Sequence, residues 1–338
     1  MSDGEAVQGS TAGPASSSQG KPTVRTVFFG SGLFAVPILD ALLVMPGVRI
    51  EAVVSAPDRP VGRRAIPTPT PVATRAGELG LPLLQPARVR AADSVAALQA
   101  MAPDLAILAD YGQLIPRVLI DLPPRGFLNV HPSALPRHRG AAPIPATILA
   151  GDTGSAVTLI VVADEMDAGP IAAVERLEVR PDDTAPVLEE RAAAAAANLL
   201  TWALPEWLAG RLRARPQPDE GVTLTRPLRR EDGLLDPNRP AVELERQIRA
   251  YQPWPGSYIQ GETSGGERLI VWRAHVAPSR PGDRVGGFGP PSVPFATSSE
   301  GPFFGTADGR LVLERVQRGG GREMGAEEYL RGHPDLVR

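Results

Sequence analysis

Asn129 and His131 stand two residues apart, just after the apolar pair Phe127 and Leu128. On an extended strand such residues face the same side. An amide donor and an imidazole then point together into one small volume. The next apolar run, 157–162, leads into Asp164 and Asp167, in a loop that closes with Gly169-Pro170. A carboxylate from that loop completes a set suited to acyl transfer through a tetrahedral intermediate, with donors for the oxyanion and a group that handles the proton. Asp167 is the expected site carboxylate and Asp164 a turn residue. His138 is expected to be an exposed loop residue. A lone histidine is more often structural. Here Pro132, Pro136, Gly140 and Pro143 make a rigid, turn-rich loop directly after the pair.

The elements that must hold these groups alternate. Strand-like runs at 24–29, 48–55, 105–109, 127–130, 157–162 and 171–179 are separated by helical patterns at 34–45, 71–79, 94–101 and 143–150. Alternation of this kind predicts an α/β domain built on a Rossmann-like, mostly parallel sheet, with ligands outside the carboxyl ends of the strands. Asp182, Asp183 and Thr184 offer N-caps to a long Ala/Leu/Glu-rich helix that reaches Leu208. Its alanine run, 192–197, reads as an ordinary packed helix. After a short polar linker at 210–222 the texture changes to short strands between Gly/Pro turns, with one helix at 241–251. That predicts a small C-terminal β-barrel, OB-like, over 223–333. The first domain then spans 23–209. Residues 1–22, rich in Ser, Gly, Ala and Thr, lack the features of a secretory signal and are expected to be a disordered tail.

The chain has 338 residues, 43% of them hydrophobic, and no apolar run approaches the roughly 20 residues of a membrane span. The absence of cysteine excludes disulfides and thiolate metal sites and suits a reducing, cytoplasmic setting. Histidines 131, 138, 275 and 333 lack the spacing of a metal pair, so no metal is expected. With a net charge of -3, nucleic-acid binding must come from local patches rather than from a whole-chain field. Lys21 is the only lysine, which leaves arginine to make phosphate contacts.

Gly30-Ser31-Gly32-Leu33-Phe34-Ala35 follows a strand and opens a helix, as a dinucleotide-binding turn does. The acid that such a site needs at the end of the second strand is missing at Ser55. A tight strand-to-helix turn is the plainer reading, and an oxidoreductase the weakest functional alternative.

Three segments carry a resemblance. Asn129-Val130-His131-Pro132-Ser133, the run Leu135-Pro136-Arg137-His138-Arg139-Gly140-Ala141-Ala142-Pro143-Ile144, and Asp167-Ala168-Gly169 resemble the signature of the folate-dependent formyltransferases. The run from Gly140 to Ile144 is most similar to members acting on methionyl-tRNA. So are Pro57-Asp58-Arg59-Pro60-Val61-Gly62-Arg63 and Arg249-Ala250-Tyr251-Gln252-Pro253-Trp254-Pro255. The resemblance spans residues 24 to 330.

The resemblance implies transfer of a formyl group from 10-formyltetrahydrofolate to the α-amine of methionyl initiator tRNA, for translation initiation. It implies that Asn129 and His131 donate to the oxyanion, while Asp167 pairs with His131 and orders a water for proton relay. Ser133, Ala134, Leu135 and Pro136 would form part of the folate site, with Ala134 where relatives commonly carry leucine. The loop 57–71 resembles the segment that reaches the acceptor stem. Arg63 matches its key arginine and Arg64 stands beside it, but two lysines usual there are absent. Arg249, Arg318 and Arg322, with Arg226 and Arg273, are the expected phosphate contacts of the second domain. The alternatives are a related formyltransferase acting on another amine, such as a nucleotide sugar, and an RNA-binding protein without turnover.

Overall fold

The structure, a computed structural model, describes residues 23–61, 65–260, 268–278, 295–298 and 300–333. The expected tail, 1–22, and Arg63 and Arg64 lie outside the described residues.

Seven strands make the first sheet: β1 (Val24–Gly30), β2 (Val48–Val54), β3 (Leu83–Leu84), β4 (Leu105–Ala109), β5 (Phe127–His131), β6 (Gly154–Val161) and β7 (Ile171–Glu178). Their order is β7-β6-β5-β4-β1-β2-β3. β1 to β5 run parallel to one another, β6 pairs antiparallel with β5, and β7 pairs antiparallel with β6. Successive side chains on β1 serve opposite faces. Phe28 packs with Ile107 and Leu128 beneath helices α1 (Val36–Leu43), α2 (Pro143–Ala150) and α3 (Ala185–Leu208), whereas Val27 and Phe29 join Phe127 on the other face. Each fully buried Phe, Leu or Ile there contributes about 1.5–3 kcal/mol relative to exposure. The alanine run is packed helix, as expected: Ala192, Ala193 and Ala196 are buried with Leu188, Leu199 and Leu200 along the stripe that faces α1.

The loop 57–71 contains a short hairpin, Arg59–Val61 against Ile66–Thr68. Pro60 and Pro67 sit opposite each other in it. Neither donates to a ladder, so the sequence gives no strand signal there.

The second domain holds α4 (Ala241–Ala250) and the strands β8 (Ser257–Gln260), β9 (Arg268–Pro278), β10 (Phe295–Ser298), β11 (Gly301–Gly305), β12 (Gly309–Arg318) and β13 (Glu323–Gly325). They pair antiparallel in the order β8-β9-β12-β11-β10, with β13 beside β12. Leu244, Ile248, Val271, Leu311 and Val316 form its core, closed by Tyr329 and Leu330 of a short terminal helix, Ala326–Arg331. Ala250 and Tyr251, at the end of α4, belong instead to the core of the first domain.

The segment after α3 does not hang free. Arg215 exchanges backbone hydrogen bonds with Ile171 at 2.7 and 2.8 Å, and Leu224–Thr225 pairs in parallel with Arg139–Gly140. Among the described residues no helix is long and apolar enough to cross a membrane.

Candidate active site

β5 passes from core to chemistry along one face. Phe127 is buried in the core, and Asn129 and His131 follow on the same side toward the carboxyl end. Leu108 of β4 and Ile160 of β6 flank Asn129 in register, and Thr158 flanks His131. Both polar residues are buried, at 8% and 5% exposure.

Asp167 arrives from the loop after β6. Its backbone is left-handed, with φ 52°. For a residue other than glycine that costs on the order of 1 kcal/mol. Its carboxylate is held from two sides. Asn129 Nδ2 donates to Oδ1 at 2.9 Å, and the Gly140 N–H donates to Oδ2 at 2.8 Å. His131 Nδ1 lies 3.6 Å from Oδ2, an ion-pair distance too long for a hydrogen bond. On the far side of the ring, Nε2 lies 3.0 Å from the carbonyl oxygen of His138. A carbonyl only accepts, so Nε2 carries a hydrogen in either charge state. Nδ1 is therefore the nitrogen that gains or loses a proton, and it faces Asp167. Asn129 keeps a second amide hydrogen beyond the one given to Asp167. Gly169 lets the loop cross β6, because a Cβ there would collide with the Val161 carbonyl oxygen.

The expectation that His138 is exposed is corrected. It is buried, with 5% exposure, and its Nε2 donates to Asp152 at 2.7 Å. Its backbone is left-handed, φ 59°, which turns its carbonyl toward His131. Its N–H donates to the Thr223 hydroxyl at 2.8 Å, and Arg137 braces the same Asp152 at 2.8 Å. Asp164 is exposed and faces Arg117 at 3.4 Å, away from the trio, in keeping with a turn role. Ser133, Ala134, Leu135 and Pro136 form the turn directly after His131. The Ser133 hydroxyl donates to the Arg137 carbonyl at 2.7 Å, and its own carbonyl accepts from Thr158 at 2.7 Å.

The Gly30-Ser31-Gly32 turn is already filled by the chain. The Ser31 N–H donates to the Asp110 carbonyl at 3.0 Å, the Gly32 N–H to the Asp110 carboxyl, and the Phe34 N–H to Glu189. Donors that would cradle a pyrophosphate thus meet the protein's own acceptors, which removes the dinucleotide reading. A Cβ on Gly32 would strike Asp110 Oδ2, so the carboxyl end is closely packed although Asp110 keeps open surface elsewhere. Close packing of its carboxyl by the surrounding protein raises Asp110 above the usual carboxylate range even though the residue has an exposed edge, and burial, with the charge of Asp110 added, raises Glu189. A raised carboxyl binds its proton more tightly in the folded state, so stability falls as pH rises from the ordinary carboxylate range through the folded value. Asp110→Asn still accepts from Gly32. It is expected to raise Tm at pH 8, with the gain shrinking toward pH 4, as followed by thermal unfolding across that range.

The second-domain arginines are placed unequally. Arg249 departs from its expected role: its guanidinium is bidentate to Glu245 at 2.6 and 2.9 Å, and Nη1 donates to the Asp183 carbonyl at 2.9 Å. Being largely buried, it ties α4 to the first domain rather than offering itself to a phosphate. Arg226 pairs with Asp232 and Arg273 with Glu314, both at the surface. Arg318 and Arg322 lie exposed at the turn between β12 and β13, with Arg322 3.6 Å from Glu328. Among the described residues no group of three or more His, Asp or Glu side chains is placed to hold a metal ion.

Sequence reasoning missed the Gly140 N–H, Asp152, Thr223 and Gln217. Gly140 alone had a signal, as a glycine closing the loop after His131. Gln217 comes from the expected linker and Thr223 from the first residue of the expected second domain, both far away in sequence.

Comparison with known proteins places the chain in a family. The formyl transferase family matches residues 24–204, and the formyl transferase C-terminal domain matches 227–334. The methionyl-tRNA formyltransferase of Halorhodospira halophila is 43% identical over 309 residues, covering 91% of this chain and 96% of its own. That of Thermus thermophilus is 42% identical over 311 residues, covering 92% and 96%. Among solved structures, an N-formyltransferase from Helicobacter canadensis in complex with folinic acid and dTDP-3-aminofucose shares the fold. Its TM-score is 0.62 at 15% identity, over 88% of this chain and 100% of that one. HypX from Aquifex aeolicus in complex with tetrahydrofolic acid has a TM-score of 0.56 at 16% identity over 91% of this chain, which spans about half of its length, 47%. With both domains matched and relatives of this identity along nearly their whole length, the chain belongs to the formyl transferase family, in its methionyl-tRNA formyltransferase branch.

Proposed function

We propose that this chain transfers the formyl group of 10-formyltetrahydrofolate to the α-amino group of methionyl initiator tRNA. The observation that carries the reading is the Asp167 carboxylate held between Asn129 and His131 at the open end of the sheet. The neutral amine attacks the formyl carbon, a C–N bond forms, and the carbonyl electron pair moves onto oxygen. The second amide hydrogen of Asn129 and the Nδ1–H of protonated His131 stabilise that oxyanion. Preorganised donors of this kind are worth about 3–4 kcal/mol each. As the oxyanion collapses the bond to N10 breaks, and N10 takes the proton that the amine has lost. Asp167 relays that proton through an ordered water.

Ser133, Ala134, Leu135 and Pro136 are proposed to wall the folate slot. Ser133 is fully buried and would act there by shaping the turn. Arg63, Arg64, Arg318 and Arg322 are proposed to meet tRNA phosphates. Arg322 would exchange its acidic neighbour for phosphate, and the binding would be salt-sensitive. A cytoplasmic location accords with these substrates. Transfer measured with charged initiator tRNA, a sugar-nucleotide amine and free methionine as acceptors tests the reading. Turnover on the tRNA alone is expected. Faster transfer to the sugar nucleotide overturns it, as does salt-sensitive tRNA binding with no turnover.

A further inference from the structure

Gln217 lies between the two domains, yet its amide touches both loops of the site. Nε2 donates to the Asp167 carbonyl at 2.7 Å and to the Gly169 carbonyl at 2.8 Å. Oε1 accepts from Arg139 Nε at 3.0 Å and Nη2 at 2.8 Å. Arg139 stands between His138, whose carbonyl takes the His131 Nε2 hydrogen, and Gly140, whose N–H holds Asp167. One half-buried side chain thus joins the loop that orients His131 to the loop that presents Asp167. Nearby, the Thr225 hydroxyl donates to the Arg139 carbonyl at 3.1 Å and accepts from the Ala142 N–H at 3.2 Å.

We propose that Gln217 is a positioning residue for Asp167, fixing from the interdomain segment the left-handed main chain that sets the carboxylate between Asn129 and His131. An aspartate at φ 52° persists only where its surroundings over-determine it. The two bonds to the carboxylate fix the side chain, and Gln217 fixes the main chain on either side of Ala168. Without those donors the peptide after Asp167 can rotate and carry the carboxylate with it. The inference rests on the role proposed above for the trio.

The test uses the full chain with Gln217→Met and Gln217→Glu. Methionine keeps the length and removes both ends of the amide. Glutamate keeps the pairing with Arg139 but turns acceptors toward two carbonyls. Each variant is expected to lose about 10–100-fold in kcat, the usual penalty for loosening a group that orients a reacting residue. KM for both substrates should stay within about twofold, because binding is not what is lost. In an Asp167→Ala background neither change should slow the enzyme further, since Gln217 acts through Asp167. Thermal unfolding checks folding, and Gln217→Glu serves should Gln217→Met not fold. Parent-like kcat in the variants, or losses that multiply with Asp167→Ala, overturn the proposal. Full activity of Asp167→Ala alone would instead remove the reading of the trio, so the two failures are distinguishable.

Discussion

Asp167→Asn is expected to lower kcat by about 10³-fold or more. The substitution keeps the size of the side chain and loses what the site asks of it. The carboxylate accepts from Asn129 on one oxygen and from the Gly140 N–H on the other. A carboxamide has one accepting end, so its NH2 must face one of those two donors. If it turns against Asn129, that amide is driven to flip, and its second hydrogen leaves the oxyanion position. If it turns against Gly140, the loop that carries the His138 carbonyl is pushed off His131. In either arrangement the negative charge opposite Nδ1 is gone. Single-turnover transfer to charged initiator tRNA at saturating folate measures the effect, and circular dichroism confirms that the variant is folded. A rate within tenfold of the parent would show that the carboxylate is not what the reaction needs.

Gly140→Ala is expected to cost both stability and activity. Its φ of 115° lies where only glycine is at ease, and a Cβ would collide with the carbonyl oxygen of Thr225. The backbone strain alone costs about 1–3 kcal/mol. At about 2–4 °C per kcal/mol, the first unfolding transition should drop by several degrees. Activity should fall further than the lost stability explains, because the N–H that moves is the one holding Asp167. Gly47→Ala is the control. Gly47 also has positive φ, 80°, but nothing lies within 4 Å of a Cβ there. It should lose a little stability and no activity. Equal kinetic effects at the two glycines would sink the argument.

The trio and the sheet were legible because strand alternation is a short-range signal. Phe127, Asn129 and His131 have period two, and Asp167 follows the next apolar run. The α/β texture and the long helix to Leu208 were readable for the same reason. His138 was not, because left-handed backbone at a non-glycine residue leaves no mark in the sequence, and that geometry buries it against Asp152. The fate of Arg249 was half visible: Glu245 lies four residues before it on one helix face, which predicts the pair but not the bond to Asp183. The terminal helix Ala326–Arg331 is too short to show a period. Gln217 was beyond reach, since it meets Asp167 across 50 residues of chain.

That stitching of the interdomain segment bears on how such enzymes can be recombined. The two family domains match 24–204 and 227–334, so the residues between them resemble a spacer that any fusion might replace. A hybrid joined at Gly210 would arrive without Gln217, Thr223 and Thr225, and its first domain would carry loose loops whatever second domain was attached. A junction placed after Thr225 keeps them. The unit that can be traded is the sheet together with its trailing strap, and lineages that exchanged their second domain would be expected to have cut there.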